Sequence, residues 1–313
     1  MRRLAAACAA LALAACASHA PLRSQWPEPA AATELAGTPF FPQTQYQCGP
    51  AALATVLGAS GLEVTPDELA PQVFLPGRKG SLQLELVAAT RRQQRLAYVL
   101  KPEPGALFAE LASGRPVLIL QNLGVSWLPA WHYAVVIGAD PVAETVVLRS
   151  GTDRRRVMSY RRFMDSWQRA DRWAMVVTPV DRVPVSANAL DWLTAAAAFE
   201  ELGQLPLAAA AYEAATARWP ELPLAWQLLG NVRYRSGDQA GARQAYRGAV
   251  ALKPDAASYN NLAQVELELG CRQAAEAALT QAEALPAAPV VTAALQETVK
   301  ALLALPETAS CTP

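Results

Sequence analysis

The chain has 313 residues, and its 27 Lys and Arg balance 27 Asp and Glu, so the formal net charge is zero. This balance gives no electrostatic reason to expect nucleic-acid binding, which relies on an excess of basic side chains. The length is enough for two folded units of ordinary size. Two histidines, one near the N-terminus, and no closely spaced cysteine pair exclude the common zinc spacings, and no feature requires a cofactor.

The first fifteen residues have the pattern of a secretory signal peptide. A basic start, Met1-Arg2-Arg3, precedes an apolar run that is too short to span a bilayer. The run ends in Leu13-Ala14-Ala15-Cys16, which resembles a bacterial lipobox. The resemblance implies lipidation of Cys16, with an unlipidated signal peptide as the alternative. Since Ala17 and not Asp follows, it also implies an anchor in the outer membrane, facing the periplasm.

Residues 16–37 are expected to be a tether, because they mix Pro, Ala, Ser and Thr. Residues 38–180 are expected to form one α+β domain. Its helices are predicted to begin near Cys48, at Thr65 as an N-cap, and at two glycines, Gly80 and Gly105. The predicted strands are 96–100, 116–120, 132–138, 144–149, 155–159 and 173–178, with the last four in an antiparallel sheet.

Cys48 and His132 are the candidate nucleophile and base. Cys48 directly precedes Gly49-Pro50 and an Ala- and Leu-rich helix, whereas His132 lies in a strand-like run. The other histidine, His19, belongs to the N-terminal leader region. A helix N-terminus and a nearby imidazolium both lower a thiol pKa, so we expect the pKa of Cys48 to lie well below that of free cysteine. The Cys48 N–H and the Gln43 side-chain amide are candidate donors to an oxyanion.

These residues carry a family resemblance. The motifs occur in this order along the chain: Gln43, four further residues, Cys48-Gly49-Pro50-Ala51-Ala52-Leu53, a buried Pro-Val-Leu-Ile strand, and His132-Tyr-Ala-Val-Val-Ile-Gly. The pattern resembles the bacteriocin-processing, double-glycine leader peptidases, which have a papain-like fold. The resemblance covers about 38–180. It implies that Cys48 attacks, that His132 is the base and that Gln43 helps to form the oxyanion hole.

One position departs from that family. The family usually has an aspartate, often Asp-Pro, at the end of the next strand, where it orients the imidazole. Here the corresponding stretch is Val147-Leu148-Arg149-Ser150-Gly151. The candidates that remain to orient His132 are Ser150, Asp153 and Asp140, and the alternative is that no residue orients it. The loss predicts a weaker enzyme, and complete loss of activity is the alternative.

Three tryptophans lie near the histidine in sequence or in the next strands. They have two interpretations, lining of a substrate cleft or packing on the sheet, and packing is favoured because aromatic side chains are common in sheets. They are Trp127, Trp131 and Trp173.

A repeat with a period near 34 begins after Asp181. Six positions recur in phase, among them Trp192, Trp226 and Tyr259, three glycines, two sets of alanines and three prolines. The period and residue types resemble the tetratricopeptide repeat. The resemblance implies an all-α solenoid over 189–304, whose surface binds peptides or proteins. Its parts are three repeats, at about 189–222, 223–256 and 256–289, and a capping helix at 290–304.

The five cysteines divide by position. Cys8 leaves with the signal peptide and Cys16 takes lipid, which leaves three in the folded part. In an oxidising envelope we expect Cys271 and Cys311 to form a disulfide, with two separate buried thiols as the alternative. Cys48 is then the odd thiol, as a nucleophile requires.

Two hypotheses for function follow. The first is a lipid-anchored envelope cysteine peptidase that cleaves a peptide or protein, with the repeats recruiting the substrate or a partner. The second is an inactive or weak peptidase-like lipoprotein that acts as a protein- or peptide-binding scaffold. An acyltransferase using the same thioester chemistry is a weaker third interpretation. The substrate and cleavage site are not disclosed by the sequence.

Overall fold

The structure is a computed structural model that describes residues 20–26, 31–42, 47–78, 80–306 and 311. The signal peptide, Cys16, His19 and Gln43 lie outside these ranges. The chain divides into two compact units, Met1–Thr90 with Val99–Val177 and Arg91–Tyr98 with Thr178–Pro313. None of the helices in the described residues is long and apolar enough to cross a membrane.

Up to residue 178 the described chain contains both helices and strands. The described helices are α1 (Leu22–Gln25), α2 (Cys48–Ala59), α3 (Pro66–Val73), α4 (Gln83–Arg92), α5 (Pro104–Ala112) and α6 (Tyr160–Gln168). The strands are β1 (Thr33–Glu34), β2 (Leu96–Val99), β3 (Val117–Asn122), β4 (Trp131–Asp140), β5 (Thr145–Ser150), β6 (Asp153–Ser159) and β7 (Ala174–Thr178).

The seven strands form one sheet of order β2-β7-β3-β4-β5-β6, and β1 pairs with β4 off this path. The pairings of β4 with β1, β3 and β5, of β3 with β7, and of β5 with β6 are antiparallel. Every residue of β3 and β7 is buried, so these strands are nearly continuous apolar runs instead of alternating ones. β6, at one end of the order, is almost wholly exposed and carries the charged run Asp153–Arg156.

Several predicted elements are confirmed, and the chemistry that sets them is local. Thr65 caps α3 in a reciprocal capping box: its hydroxyl accepts from the Glu68 N–H, and the Glu68 carboxylate accepts from the Thr65 N–H at 2.7 Å. The sequence analysis missed α6, which lies between two predicted strands. Its buried side chains follow the helical spacing of an amphipathic helix: Tyr160, Phe163, Met164 and Trp167.

Part of the segment expected to be a tether is folded. Leu22 in α1 is completely buried, and the Trp26 ring lies 5.4 Å from the Phe108 ring. In β1, Thr33 pairs with Ala139 and Glu34 with Gly138. The tether interpretation of 16–37 is therefore wrong for these residues, because overall composition overlooked the few apolar side chains that find partners in the domain.

The second unit continues as helices from residue 189. They are α7 (Ala189–Glu201), α8 (Leu205–Arg218), α9 (Pro223–Arg235), α10 (Gln239–Leu252), α11 (Ala256–Glu268), α12 (Arg272–Glu283) and α13 (Pro289–Ala304). Each of α7 to α12 packs on its neighbour in sequence, and α13 packs on α11 and α12. Taken two by two, α7 to α12 occupy the segments 189–222, 223–256 and 256–289.

The recurring positions of this unit have identifiable structural roles. Gly203, Gly237 and Gly270 follow the first helix of each pair with φ of 70°, 83° and 74°, a backbone region that costs glycine little. The recurring alanines are completely buried, which lets paired helices approach closely: Ala208, Ala215, Ala242, Ala249, Ala275 and Ala282.

The two C-terminal cysteines meet in the structure. Cys271, the N-cap of α12, is joined to Cys311 by a disulfide. Cys48 is the free cysteine of the described residues.

Candidate active site

Cys48 is the first residue of α2, a helix that packs on β4. The first N–H groups of a helix have no acceptor within the helix and point out of its N-terminus. Those of Gly49 and Cys48 lie near the Cys48 sulfur and favour its charged form, which lowers the thiol pKa. Pro50 follows in the first turn, where its missing N–H costs nothing. The local sequence thus places a thiol among the backbone amides of a helix start.

The sulfur lies where β5 separates from β4. The β3·β4 register extends to the Asn122·Trp131 pair, whereas the β4·β5 register begins only at Val135. The Leu123 N–H donates to the Ala130 carbonyl. Hydrogen-bonded pairs alternate along an antiparallel ladder, so Tyr133, three residues after Ala130, belongs to a pair without hydrogen bonds and its N–H faces away from β3. This N–H forms a hydrogen bond to the Cys48 sulfur. The nucleophile is therefore held at the backbone of the residue after His132.

Ser150, the last residue of β5, meets the His132 ring. Its Oγ lies 2.9 Å from His132 Nε2, so Nδ1 is the ring nitrogen that does not meet Ser150. The Asp140 carboxylate instead accepts the N–H groups of Val142 and Ala143 in the following turn. Asp153 pairs with Arg156 at 3.7 Å. Of the residues considered from the sequence, the structure brings Ser150 to the imidazole.

Before substrate binds, the site favours the uncharged forms of Cys48 and His132. Burial raises the pKa of the Cys48 thiol and outweighs the backbone hydrogen bonds that lower it. Burial and the positive charge of Arg156 lower the pKa of His132 to about 4. The expected low thiol pKa is therefore wrong: sequence reasoning counted the helix N-terminus and imidazolium but not desolvation, which is the largest effect on both groups. Cys48 rests as a thiol and His132 as a neutral imidazole.

Two residues missed by sequence reasoning pack around the helix start. A Cβ at Gly49 would lie 2.2 Å from Ser81 Oγ, so only glycine fits between Cys48 and Pro50 without displacing Ser81. The Tyr133 hydroxyl donates to the Ser81 carbonyl at 3.3 Å, and the Tyr133 ring packs edge-on against Trp173 with centroids 5.9 Å apart. The Gly in Cys-Gly-Pro was the available indication of this close approach.

Arg149 fixes the segment that leads toward Cys48. Its buried guanidinium donates to the carbonyls of Ala36 and Thr38 at 2.9 Å each, and to the Arg154 carbonyl. These bonds attach the chain before the helix to β5, next to Ser150. An arginine inside an otherwise buried strand is unusual because burying a charge is costly unless it is hydrogen-bonded, and that was the available sequence indication.

The three tryptophans have different environments. Trp173 packs on Tyr133, as the sheet-packing interpretation predicts. Trp127 and Trp131, however, are 83% and 57% exposed, so that interpretation is wrong for both. Trp127 lies in the connection from β3 to β4, and Trp131 is the first residue of β4.

Comparison with known proteins places a family on this part of the chain. Residues 39–180 match the model of the Peptidase C39 family. This segment is a Peptidase C39 family domain. It contains Cys48, His132 and Ser150, together with Gln43, which lies outside the described residues.

Two solved structures are similar to part of the chain. One is a putative C39-like peptidase from Bacillus anthracis, with 18% identity, covering 50% of this chain and 99% of that one with a TM-score of 0.41. The other is the peptidase domain of Streptococcus ComA, a bifunctional ABC transporter involved in a quorum-sensing pathway. It has 21% identity, covers 45% of this chain and 98% of that one, and has a TM-score of 0.38. Comparison with curated proteins gave no match.

Proposed function

We propose that the C39 domain is a cysteine peptidase in which Cys48 attacks a peptide carbonyl and His132 carries the proton. The observation that supports this most is the hydrogen bond from the Tyr133 backbone to the Cys48 sulfur, because Tyr133 directly follows His132 in β4. The family match over residues 39–180 supports the same chemistry.

The resting protonation states determine how the reaction begins. Since both groups are neutral, His132 acts as a general base that takes the thiol proton as the sulfur attacks. The carbonyl oxygen becomes an oxyanion at the N-terminus of α2, where first-turn amides and the helix dipole favour negative charge. Gln43 is proposed as a further donor.

The proton then returns to the substrate. His132, now an imidazolium, protonates the leaving amine as the C–N bond breaks, and an acyl-thioester on Cys48 remains. Water, deprotonated by His132, attacks the thioester and releases the acid and the thiol. Ser150 holds the ring in position through Nε2 but supplies no charge to stabilise the imidazolium. We therefore expect a slower peptidase than one with a carboxylate at this position.

The rest of the chain suggests how the domain is used. Lipidation of Cys16 would anchor it to the outer membrane, facing the periplasm, and the helical unit, read as tetratricopeptide repeats, would recruit the substrate or a partner protein. A cavity of about 290 Å³ in that unit supports a binding role. Its lining is mainly polar and aromatic, with Glu200, Asn231, Tyr234, Arg235, Tyr246, Asn261 and Gln264.

The decisive experiment is cleavage of a mixed peptide pool by the purified protein, with products identified by mass spectrometry. We expect cleavage by the wild type and none by Cys48→Ala, whose circular dichroism should match the wild type. His132→Gln should be similarly inactive.

Two results would replace the proposal. Peptide binding without any cleavage or covalent adduct at Cys48 would favour the scaffold hypothesis. Transfer of the acyl group to an added amine in place of water would favour an acyltransferase.

A further inference from the structure

The connection between β3 and β4 is an apolar hairpin at the active-site end of the sheet. It runs from Leu123 to Ala130, and the strand after it begins with Trp131 and His132. No Asp, Glu, Lys or Arg occurs between Arg115 and Asp140. Five large apolar side chains of this stretch are at least 46% exposed, and they are Leu123, Val125, Trp127, Leu128 and Trp131.

The hairpin is held in one shape although its side chains face solvent. Val125 and Leu128 exchange backbone hydrogen bonds at 3.2 and 3.1 Å, which closes the tip. At its base the Asn122 carboxamide oxygen accepts the N–H groups of Gly124 and Ala130. The Arg169 guanidinium donates to the Asn122 carbonyl at 3.0 Å. Trp127 is thus presented on an ordered turn, which reduces the entropic cost of binding with it.

The hairpin lies at the same end of the sheet as the candidate catalytic residues. β3 ends and β4 begins at the edge of the sheet where β5 ends in Ser150 and where α2 presents Cys48. Trp131 precedes His132 and, with the two-residue alternation of a strand, lies on the same face of β4 as Tyr133. The hairpin is therefore continuous with the candidate catalytic site and extends beyond it.

We infer that the hairpin 123–130, together with Trp131, is a substrate-binding element that selects peptide segments with large apolar side chains next to the scissile bond. This rests on the proposed peptidase function and names its substrate class. The occupant has to be apolar because the stretch offers no charge to pair with, and an exposed, uncharged cluster of this kind marks a binding site. Trp127 and Trp131 supply most of the apolar area.

The inference is tested by binding, without turnover. The Cys48→Ala protein is titrated into two pools of fluorescein-labelled octapeptides, one varied over Leu, Phe and Val and the other over Ser, Thr and Asn, and anisotropy is recorded. We expect the apolar pool to bind more tightly. Trp127→Ser together with Trp131→Ser should weaken that binding by about tenfold or more, as for a buried aromatic at an interface. Val142→Ser, which changes another exposed side chain of the same unit, is the matched control.

Four results would overturn the inference. The first three are equal affinity for the two pools, a double variant that binds as tightly as the Cys48→Ala protein itself, and an equal loss in Val142→Ser. The fourth concerns vesicles of phosphatidylethanolamine and phosphatidylglycerol. If Cys16→Ser protein binds these vesicles, and the double tryptophan variant abolishes that binding while peptide binding is unchanged, the hairpin would be assigned to a membrane surface. The peptidase proposal is separate, since it depends on cleavage and its loss in Cys48→Ala. Tight binding of the apolar pool without cleavage by the wild type would refute the peptidase and leave the hairpin as a peptide-binding element with no scissile bond.

Discussion

Replacement of Ser150 by aspartate should give the His132 ring a charged partner. The site lowers the pKa of His132 from 6.5 to about 4, which corresponds to about 3 kcal/mol against the imidazolium. Ser150 Oγ lies 2.9 Å from Nε2, so an aspartate there would place its charge close to the ring. Two opposite charges at about 4 Å interact by about 4 kcal/mol at the effective dielectric of protein sites. After the cost of burying the carboxylate, we expect the His132 pKa to rise by about two units.

The assay is titration of the histidine ring by NMR. The chain has two histidines, so His19 serves as a reference within the same sample. The wild type should titrate near the value above, and Ser150→Asp close to the ordinary histidine range. Ser150→Asn, which has the same shape and no charge, should stay low. Iodoacetamide should also alkylate Cys48 faster at neutral pH in Ser150→Asp, because an imidazolium favours the thiolate. An unchanged His132 pKa in Ser150→Asp, or an equal rise in Ser150→Asn, would refute the reasoning.

Three further predictions test the same structure. The pKa of His132 is lower in the folded chain than its ordinary 6.5. Its contribution to the free energy of unfolding is therefore complete above pH 6.5 and is lost as the pH falls toward 4. The free energy of unfolding of the wild type relative to His132→Gln, from urea titrations, should fall by about 3 kcal/mol over this range, and a constant difference would contradict the burial argument. Gly49→Ala should destabilise the fold by about 1–3 kcal/mol through its clash with Ser81, and Ser81→Gly should recover most of the loss; no recovery would place the strain elsewhere. The cysteines of the Cys271–Cys311 disulfide are separated by 40 residues, so its reduction should lower the stability of the helical unit by about 4 kcal/mol in the chain-entropy model. The measurement is thermal unfolding with and without reductant. Equal transition temperatures would show that the disulfide does not stabilise this unit.

What the sequence predicted well was local. The helix after Cys48, the cap at Thr65 and the strand of His132 depend on residues a few positions apart, and all three are present. Helix α6 was missed because its arginines hid the apolar spacing of its buried face. The protonation of Cys48, the exposure of Trp127 and the partner of His132 depend on residues distant in sequence. Position along the chain left several candidate partners open for the histidine, and only the approach of β5 to β4 selects Ser150.

The protonated state of Cys48 also affects its redox chemistry. Thiols react with peroxides and exchange with disulfides as thiolates, so a raised thiol pKa slows both reactions. In an oxidising compartment an unpaired cysteine risks sulfenic acid formation and mispairing with other proteins or with Cys271–Cys311. Desolvation protects the resting sulfur from these reactions, and in the proposed mechanism His132 removes its proton only as the sulfur attacks a substrate. In the proposed peptidase, the same burial that slows the first step would therefore lengthen the time for which Cys48 remains chemically intact.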